Sequence, residues 1–183
     1  ANIPQEIRSV LIHPPVAAEF NCSEHAVGQQ PQPGNALGSD CVVVRHNAGP
    51  EGRFPSNYSG DGSENKDWYS WEEPLLAPFK AIVKLTHINQ TTNTPGKRGE
   101  GRASGILFER LGSEKHVQVL YAHVRDIKVA RGDTVSAGDV VARIGNNGYS
   151  WFPHVHIGAV ESGLMKLLKQ EIKPSDITAL QLR

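Results

Sequence analysis

Apolar and polar residues alternate through much of the chain, most clearly between Val117 and Ala159. A period of two residues is typical of a β-strand with one buried face. Polar segments rich in glycine and proline separate the alternating runs, and only residues 164–172 have the apolar spacing of a helix. The pattern therefore predicts a mainly β protein, an antiparallel sheet domain with long loops and a short C-terminal helical element. The expected strands cover residues 3–12, 42–44, 81–85, 105–110, 116–123, 134–135 and 140–141.

Three polar stretches, residues 23–40, 47–66 and 89–103, are predicted to be loops. Loops of this length in a compact domain are usually functional or disordered. We expect a single domain overall, in which residues 1–40 form an N-terminal extension packed on a main domain that spans residues 41–183.

The composition restricts the possible partners. The chain has 18 Gly and 12 Pro among 183 residues, which fits a protein rich in turns. Its 19 basic and 19 acidic residues cancel, so the charge does not point to nucleic acid or to an anionic membrane surface. The apolar runs are too short to span a bilayer. We expect no nucleic-acid partner, no membrane span and a monomer.

The only two cysteines, Cys22 and Cys41, flank a segment rich in glycine and proline. A disulfide between them would close a loop of about 20 residues and stabilise the fold by roughly 3 kcal/mol in the chain-entropy model. The alternative is a pair of reduced thiols in a cytosolic protein. A start without Met is typical of a processed product, so we expect a disulfide and a secreted or periplasmic protein.

The strongest chemical signal is the pair His154 and His156. Residues two apart on a strand lie on one face, here roughly 6.5 Å apart at the backbone. Imidazole is the commonest zinc ligand, although two histidines alone do not complete a tetrahedral site and could also lie on a solvated strand. His123, and Asp67 among aromatic residues, strengthen the metal interpretation.

Four ordered sequence blocks can be compared with known enzymes. Asp67 with residues 74–83 is similar to a D-x(n)-P-V-x-A-P-x-x-G-x-V block, and residues 119–123 to a Y-x-H strand. Residues 129–148 are similar to V-x-x-G-D-x-V-x-x-G-x-x-I-G-x-x-G, and residues 153–157 resemble P-H-L-H-F. Together the blocks resemble the lysostaphin-type (LytM-domain) zinc endopeptidases, which cut bacterial peptidoglycan. The resemblance implies a LytM-like fold, related to a duplicated hammerhead-like sheet.

The resemblance also implies roles for single residues. Asp67 and His156 would be zinc ligands. His154 would be the general base, and His123 would orient water or stabilise the oxyanion. Zinc lowers the pKa of bound water to about 7 and polarises the scissile carbonyl, and histidines can then accept and return the proton.

One family residue is absent, because the resemblance places a histidine ligand four residues before the aspartate and Ser63 stands there. His46 is the preferred replacement, and Glu64 or Asn65 could instead supply an oxygen ligand. A third alternative is a site that binds metal weakly or not at all.

The predicted function is hydrolysis of peptide bonds in peptidoglycan by a zinc-activated water. The alternative is an inactive LytM-like module that binds peptidoglycan or activates another cell-wall hydrolase. Tyr69, Tyr149 and Trp151 are candidates for the wall of the substrate groove. The Gly-Asp-x-Val repeat also resembles lipoyl- or biotin-carrier hammerheads, but the turn from Gly145 to Tyr149 has no lysine to modify.

Overall fold

A computed structural model describes residues 8–26, 37–49, 52–113, 116–162 and 177–183. These residues are almost entirely strands and loops, so the prediction of a mainly β protein is confirmed. The only helical segment among them is a short 3-10 helix, η1, at Asn65–Asp67. No helix long and apolar enough to cross a membrane occurs in this part of the chain.

Fourteen strands are described in these ranges. They are β1 (Ser9–Val10), β2 (Phe20–Glu24), β3 (Ser39–Val43), β4 (Arg45–Gly49), β5 (Gly52–Ser56), β6 (Pro74–Leu76), β7 (Ala81–His87), β8 (Gly105–Arg110), β9 (His116–Ala122), β10 (Val124–Arg125), β11 (Thr134–Val135), β12 (Val140–Ile144), β13 (Val155–Ser162) and β14 (Ile177–Leu182). The main sheet has the order β1-β14-β13-β9-β8-β7-β11, and β3 joins it by pairing with β13 on one side and β2 on the other. Its pairs are antiparallel except β1 with β14.

The core follows from the alternation seen in the sequence. In β9 the residues Val117, Val119 and Tyr121 are buried, while their neighbours are only partly covered. The ring of Tyr121 meets that of Phe108 edge to face, with centroids 5.3 Å apart, and its hydroxyl donates to the Leu76 carbonyl. Such an aromatic pair contributes about 0.5–1.5 kcal/mol beyond its area burial. The central strands are therefore a rigid base for residues at their ends.

A Gly-Asp turn precedes each of the strands β11 and β12. Gly132 and Gly138 have φ of 97° and 84°, a conformation that glycine adopts at no steric cost. The carboxylates of Asp133 and Asp139 accept bonds from backbone N–H groups three residues earlier, at 2.8 and 2.7 Å. These turns lead into β11 and β12, and β12 joins β10 and β6 in a separate three-stranded sheet.

Two expected loops contain strands. β2 and β3 extend into residues 23–40, and the hairpin of β4 and β5 begins at Arg45 and occupies the first part of residues 47–66. β2, β4 and β5 are short and largely exposed, and β3 begins before its apolar residues, so the sequence pattern gave little sign of these additions. β3 also crosses the expected boundary between residues 40 and 41. The expected helix at 164–172 lies outside the described residues.

Candidate active site

Three histidines contact one carboxylate where β2, β3 and β13 meet, and a fourth packs against one of them. We call this group of His25, Asp40, His123, His154 and His156 the histidine cluster. The strand register creates it: His156 of β13 is paired directly with Asp40 of β3. His25 follows the end of β2, and its backbone N–H donates to Gly38 O at 2.7 Å.

Asp40 contacts three of the imidazoles. Its Oδ1 lies 2.8 Å from His156 Nδ1 and 3.6 Å from His154 Nε2, and its Oδ2 lies 3.1 Å from His25 Nε2. Burial opposes ionisation of this carboxyl, but the bond to His156 and the nearby histidines outweigh it and hold its pKa below the usual range. Asp40 is therefore a carboxylate at neutral pH.

His25 and His156 each retain one nitrogen with no partner among the described residues. Both atoms, His25 Nδ1 and His156 Nε2, are buried. An unsatisfied buried polar atom is costly, and a bound ion or water would satisfy it. One potential ligand atom from each of His25, Asp40 and His156 lies within 4.8 Å of the others. Two imidazoles and a carboxylate match the three protein ligands of catalytic zinc sites, which keep one position open.

The other two histidines are held in one tautomer by backbone carbonyls. His123 Nδ1 donates to Asn147 O at 2.7 Å, and His154 Nδ1 donates to Phe152 O at 2.9 Å. Their ring centroids are 4.6 Å apart. Burial lowers the pKa of His123 to about 3 and also lowers the pKa of His154. Each ring is therefore neutral, with its lone pair on Nε2.

A buried turn places His123. The residue itself has φ of 62°, an uncommon conformation for a non-glycine residue. Asn147, 4% exposed, accepts from the Ser104 N–H through Oδ1 at 2.7 Å and donates to Val124 O through Nδ2 at 2.9 Å. At Gly148, with φ of 63°, an added Cβ would lie 2.6 Å from the Ala103 backbone. The close packing of this turn fixes the carbonyl that orients His123.

A row of aromatic rings leads up to His154. Tyr58 packs on Trp68 with centroids 4.9 Å apart, and Trp68 stacks on Phe152 at 4.8 Å with an interplanar angle of 6°. Phe152 in turn lies 5.2 Å from the His154 ring. Trp68 is fixed further by its indole N–H, which donates to Gly62 O at 2.9 Å. The row forms an apolar wall beside the cluster.

The structure brings only some of the expected site residues together. The structure brings His156, His154 and His123 together, but Asp67 and His46 are not part of the cluster. Asp67 belongs to η1, where its carboxylate accepts from the Glu64 N–H at 3.0 Å in a capping box. The half-exposed His46 ring contacts Glu19 at 2.8 Å. Both side chains therefore have local partners outside the cluster.

The other expected residues have varied positions. Glu64 pairs with Lys66 at the surface, and Asn65 donates to Asn93 O at 2.7 Å, so neither is an oxygen ligand in the cluster. Tyr69 packs against the core. Tyr149 and Trp151, the other groove candidates, are 60% and 53% exposed. The expected disulfide between Cys22 and Cys41 is present.

Sequence reasoning missed Asp40 and His25. The disulfide could have indicated both residues, because a Cys22–Cys41 bond aligns β2 with β3 and brings the residues near each cysteine side by side. The resemblance instead placed the family aspartate at Asp67. With Asp40 as the aspartate, the position four residues earlier is Ala36, so the family histidine is again absent there.

Two solved structures are similar to this chain. The catalytic domain of the prophage-encoded M23 protein EnpA from Enterococcus faecalis, as a mutant, has 16% identity and a TM-score of 0.48, covering 89% of this chain and 95% of that one. The catalytic domain of lysostaphin from Staphylococcus simulans has 15% identity and a TM-score of 0.47, covering 88% of each chain. No curated protein matches.

A family model gives the assignment. It is described as peptidase family M23, and it matches residues 97–166, which include His123, His154 and His156. His25 and Asp40 lie before the matched segment. This segment of the chain, with three of the cluster's four histidines, is therefore similar to peptidase family M23.

Proposed function

We propose that this protein is a zinc-dependent endopeptidase that hydrolyses peptide bonds in bacterial peptidoglycan. The single observation that carries the proposal is the histidine cluster, in which three imidazoles contact Asp40 and a fourth packs on His154, in a chain whose residues 97–166 match a peptidase family. The family narrows the reaction to that of a peptidase, and the cluster supplies the kinds of side chain that such a reaction needs.

His25, Asp40 and His156 are proposed to hold the metal. Their two imidazoles suit zinc, and the carboxylate supplies negative charge beside them. The buried nitrogens without a partner support this role, because a bound ion would remove the cost of leaving the group unsatisfied. When bound, zinc would polarise the scissile carbonyl and make water more acidic.

His154 is proposed as the general base. Because its Nδ1 donates to Phe152 O, its lone pair is on Nε2, the atom that faces Asp40 at 3.6 Å. Nε2 would take a proton from the attacking water and return it to the leaving amine nitrogen. His123, neutral and held by Asn147 O, would orient the water or the scissile carbonyl oxygen through its own Nε2.

The peptidoglycan substrate is proposed from the resemblance to lysostaphin-type enzymes. The aromatic row Tyr58, Trp68 and Phe152 and the exposed Tyr149 and Trp151 would form walls for an extended peptide. The disulfide supports a secreted or periplasmic location, where such bonds persist and where the cell wall lies.

The test combines metal analysis with hydrolysis. Purified protein is analysed for zinc by elemental mass spectrometry and incubated with isolated peptidoglycan, and newly formed amino termini are counted. We expect one zinc per chain, and a His154→Ala variant that retains the metal but loses at least about 100-fold in rate, the usual range for a general base.

The matched control is His116→Ala. His116 lies on β9 but contacts Glu109, outside the cluster, so this variant is expected to keep full activity. A zinc-free protein, or a His154→Ala variant as active as wild type, would refute the proposal. Binding to peptidoglycan without hydrolysis would favour the inactive module instead.

A further inference from the structure

We propose that the Cys22–Cys41 disulfide is a positioning element of the metal site, which holds His25 against Asp40, so that its loss lowers the metal affinity of the folded protein. The inference rests on the proposed function, because it requires that His25, Asp40 and His156 bind the metal.

β2, which carries His25 at its end, is weakly attached. In the described part of the chain it pairs only with β3, and four of its five side chains are exposed. Phe20, at its first position, is partly buried against the core. Little apolar burial therefore holds the far end of β2, where His25 leaves the strand, and an edge strand of this kind separates at low cost.

The disulfide lies close to the ligands. Cys22 and Cys41 are direct partners in the β2–β3 register. Asp40 is the neighbour of Cys41, and His25 follows Cys22 by three residues. The covalent bond therefore fixes the spacing between β2 and β3 close to both His25 and Asp40. The distance of 3.1 Å between His25 Nε2 and Asp40 Oδ2 depends on that spacing.

The effect should be specific to His25. Asp40 and Cys41 are paired on their other side with His156 and Val155 of β13, which lies in the centre of the main sheet. Loss of the disulfide leaves that pairing intact. Asp40 and His156 would keep their 2.8 Å contact, while His25 would gain freedom relative to both.

A reductant can reach the bond from one side. Cys22 is exposed, whereas Cys41 is 2% exposed. The thiolate of a dithiol reductant attacks Sγ of Cys22, and the Cys41 sulfur leaves as a thiolate and takes up a proton. The second thiol of the reductant then attacks the mixed disulfide, which releases the Cys22 thiol and the cyclic disulfide of the reductant. Two electrons and two protons pass to the protein.

The experiment is a double-mutant cycle on zinc affinity. Wild type, Cys22→Ser/Cys41→Ala, His25→Gln and the triple variant are titrated with zinc against a chromophoric chelator, at a temperature where circular dichroism shows each to be folded. Replacing both cysteines prevents free thiols from binding zinc themselves. Alanine suits position 41 because a buried cysteine behaves as a small hydrophobe.

Removal of the disulfide is expected to weaken zinc binding by about 10- to 100-fold, the range for groups that orient metal ligands. In the His25→Gln background the same removal should change the affinity by less than about 2-fold, because the cycle measures coupling between the two sites. A merely structural disulfide would lower thermal stability and leave the zinc affinity of the folded state unchanged. His116→Gln, outside the cluster, serves as the control and should leave the effect of disulfide removal intact.

Equal affinity with and without the disulfide would overturn the inference while leaving the proposed function standing. An equal loss in the His25→Gln background would also overturn it. Absence of zinc binding by oxidised wild type would refute the proposed function itself. If the cysteine variants do not fold, wild type and His25→Gln are reduced with dithiothreitol, alkylated and compared in the same way.

Discussion

Replacing Asp40 by Asn tests which aspartate serves the metal. The carboxylate contacts His156 Nδ1 at 2.8 Å and His25 Nε2 at 3.1 Å, and Asn keeps its shape while removing its charge. Loss of a group that only orients a metal ligand already costs 10- to 100-fold in affinity. Loss of a charged ligand should cost at least about 100-fold, or about 2.8 kcal/mol at 1.4 kcal/mol for each factor of ten.

The matched variant is Asp67→Asn. The Asp67 carboxylate accepts from the Glu64 N–H in the η1 capping box, a bond that an amide oxygen can also accept. We expect this variant to bind zinc as tightly as wild type and to be slightly less stable. Zinc competition with a chelator gives the affinities, and thermal unfolding without metal shows that both variants are folded. A large loss of affinity in Asp67→Asn, with none in Asp40→Asn, would refute the assignment of the metal to the histidine cluster.

Two further predictions concern the groove and the sheet. Trp68→Ala removes the ring stacked on Phe152, so the KM for a peptidoglycan peptide should rise by about 2- to 10-fold with little change in kcat, the range expected for one aromatic contact. An unchanged KM would exclude this wall from substrate binding. Burial of Glu109 opposes ionisation, but the Gln118 hydrogen bond and the Lys84 charge outweigh it and lower its pKa. Glu109→Gln should therefore cost about 1 kcal/mol of unfolding free energy at pH 7, and the loss should disappear as the pH falls through the lowered pKa, since the stabilisation exists only while the group is ionised. Denaturant unfolding at pH 7 and pH 3 measures this, and a difference that persists at pH 3 would contradict it.

Some features of the site follow from local sequence. His154 and His156 are two residues apart at the start of β13, and strand alternation requires them to share a face. The pattern around His123 marks the end of a buried strand, and the two Gly-Asp turns follow from backbone preferences. These features could be predicted because each depends on residues close together in the chain. The disulfide could be predicted because only two cysteines are present.

The sequence from Val117 to Ala159 is therefore enough to predict strands with one buried face, and to predict histidines in the order found in the lysostaphin-type enzymes. Tertiary structure alone decided which groups complete the cluster. Asp40 and His156 are 116 residues apart, and they meet because β3 pairs with β13 in one particular register. His25 reaches them only through the pairing of β2 with β3. Which strands pair depends on residues far apart in the chain, because a strand can pair with the edge of many others. The local period of apolar residues does not specify the partner.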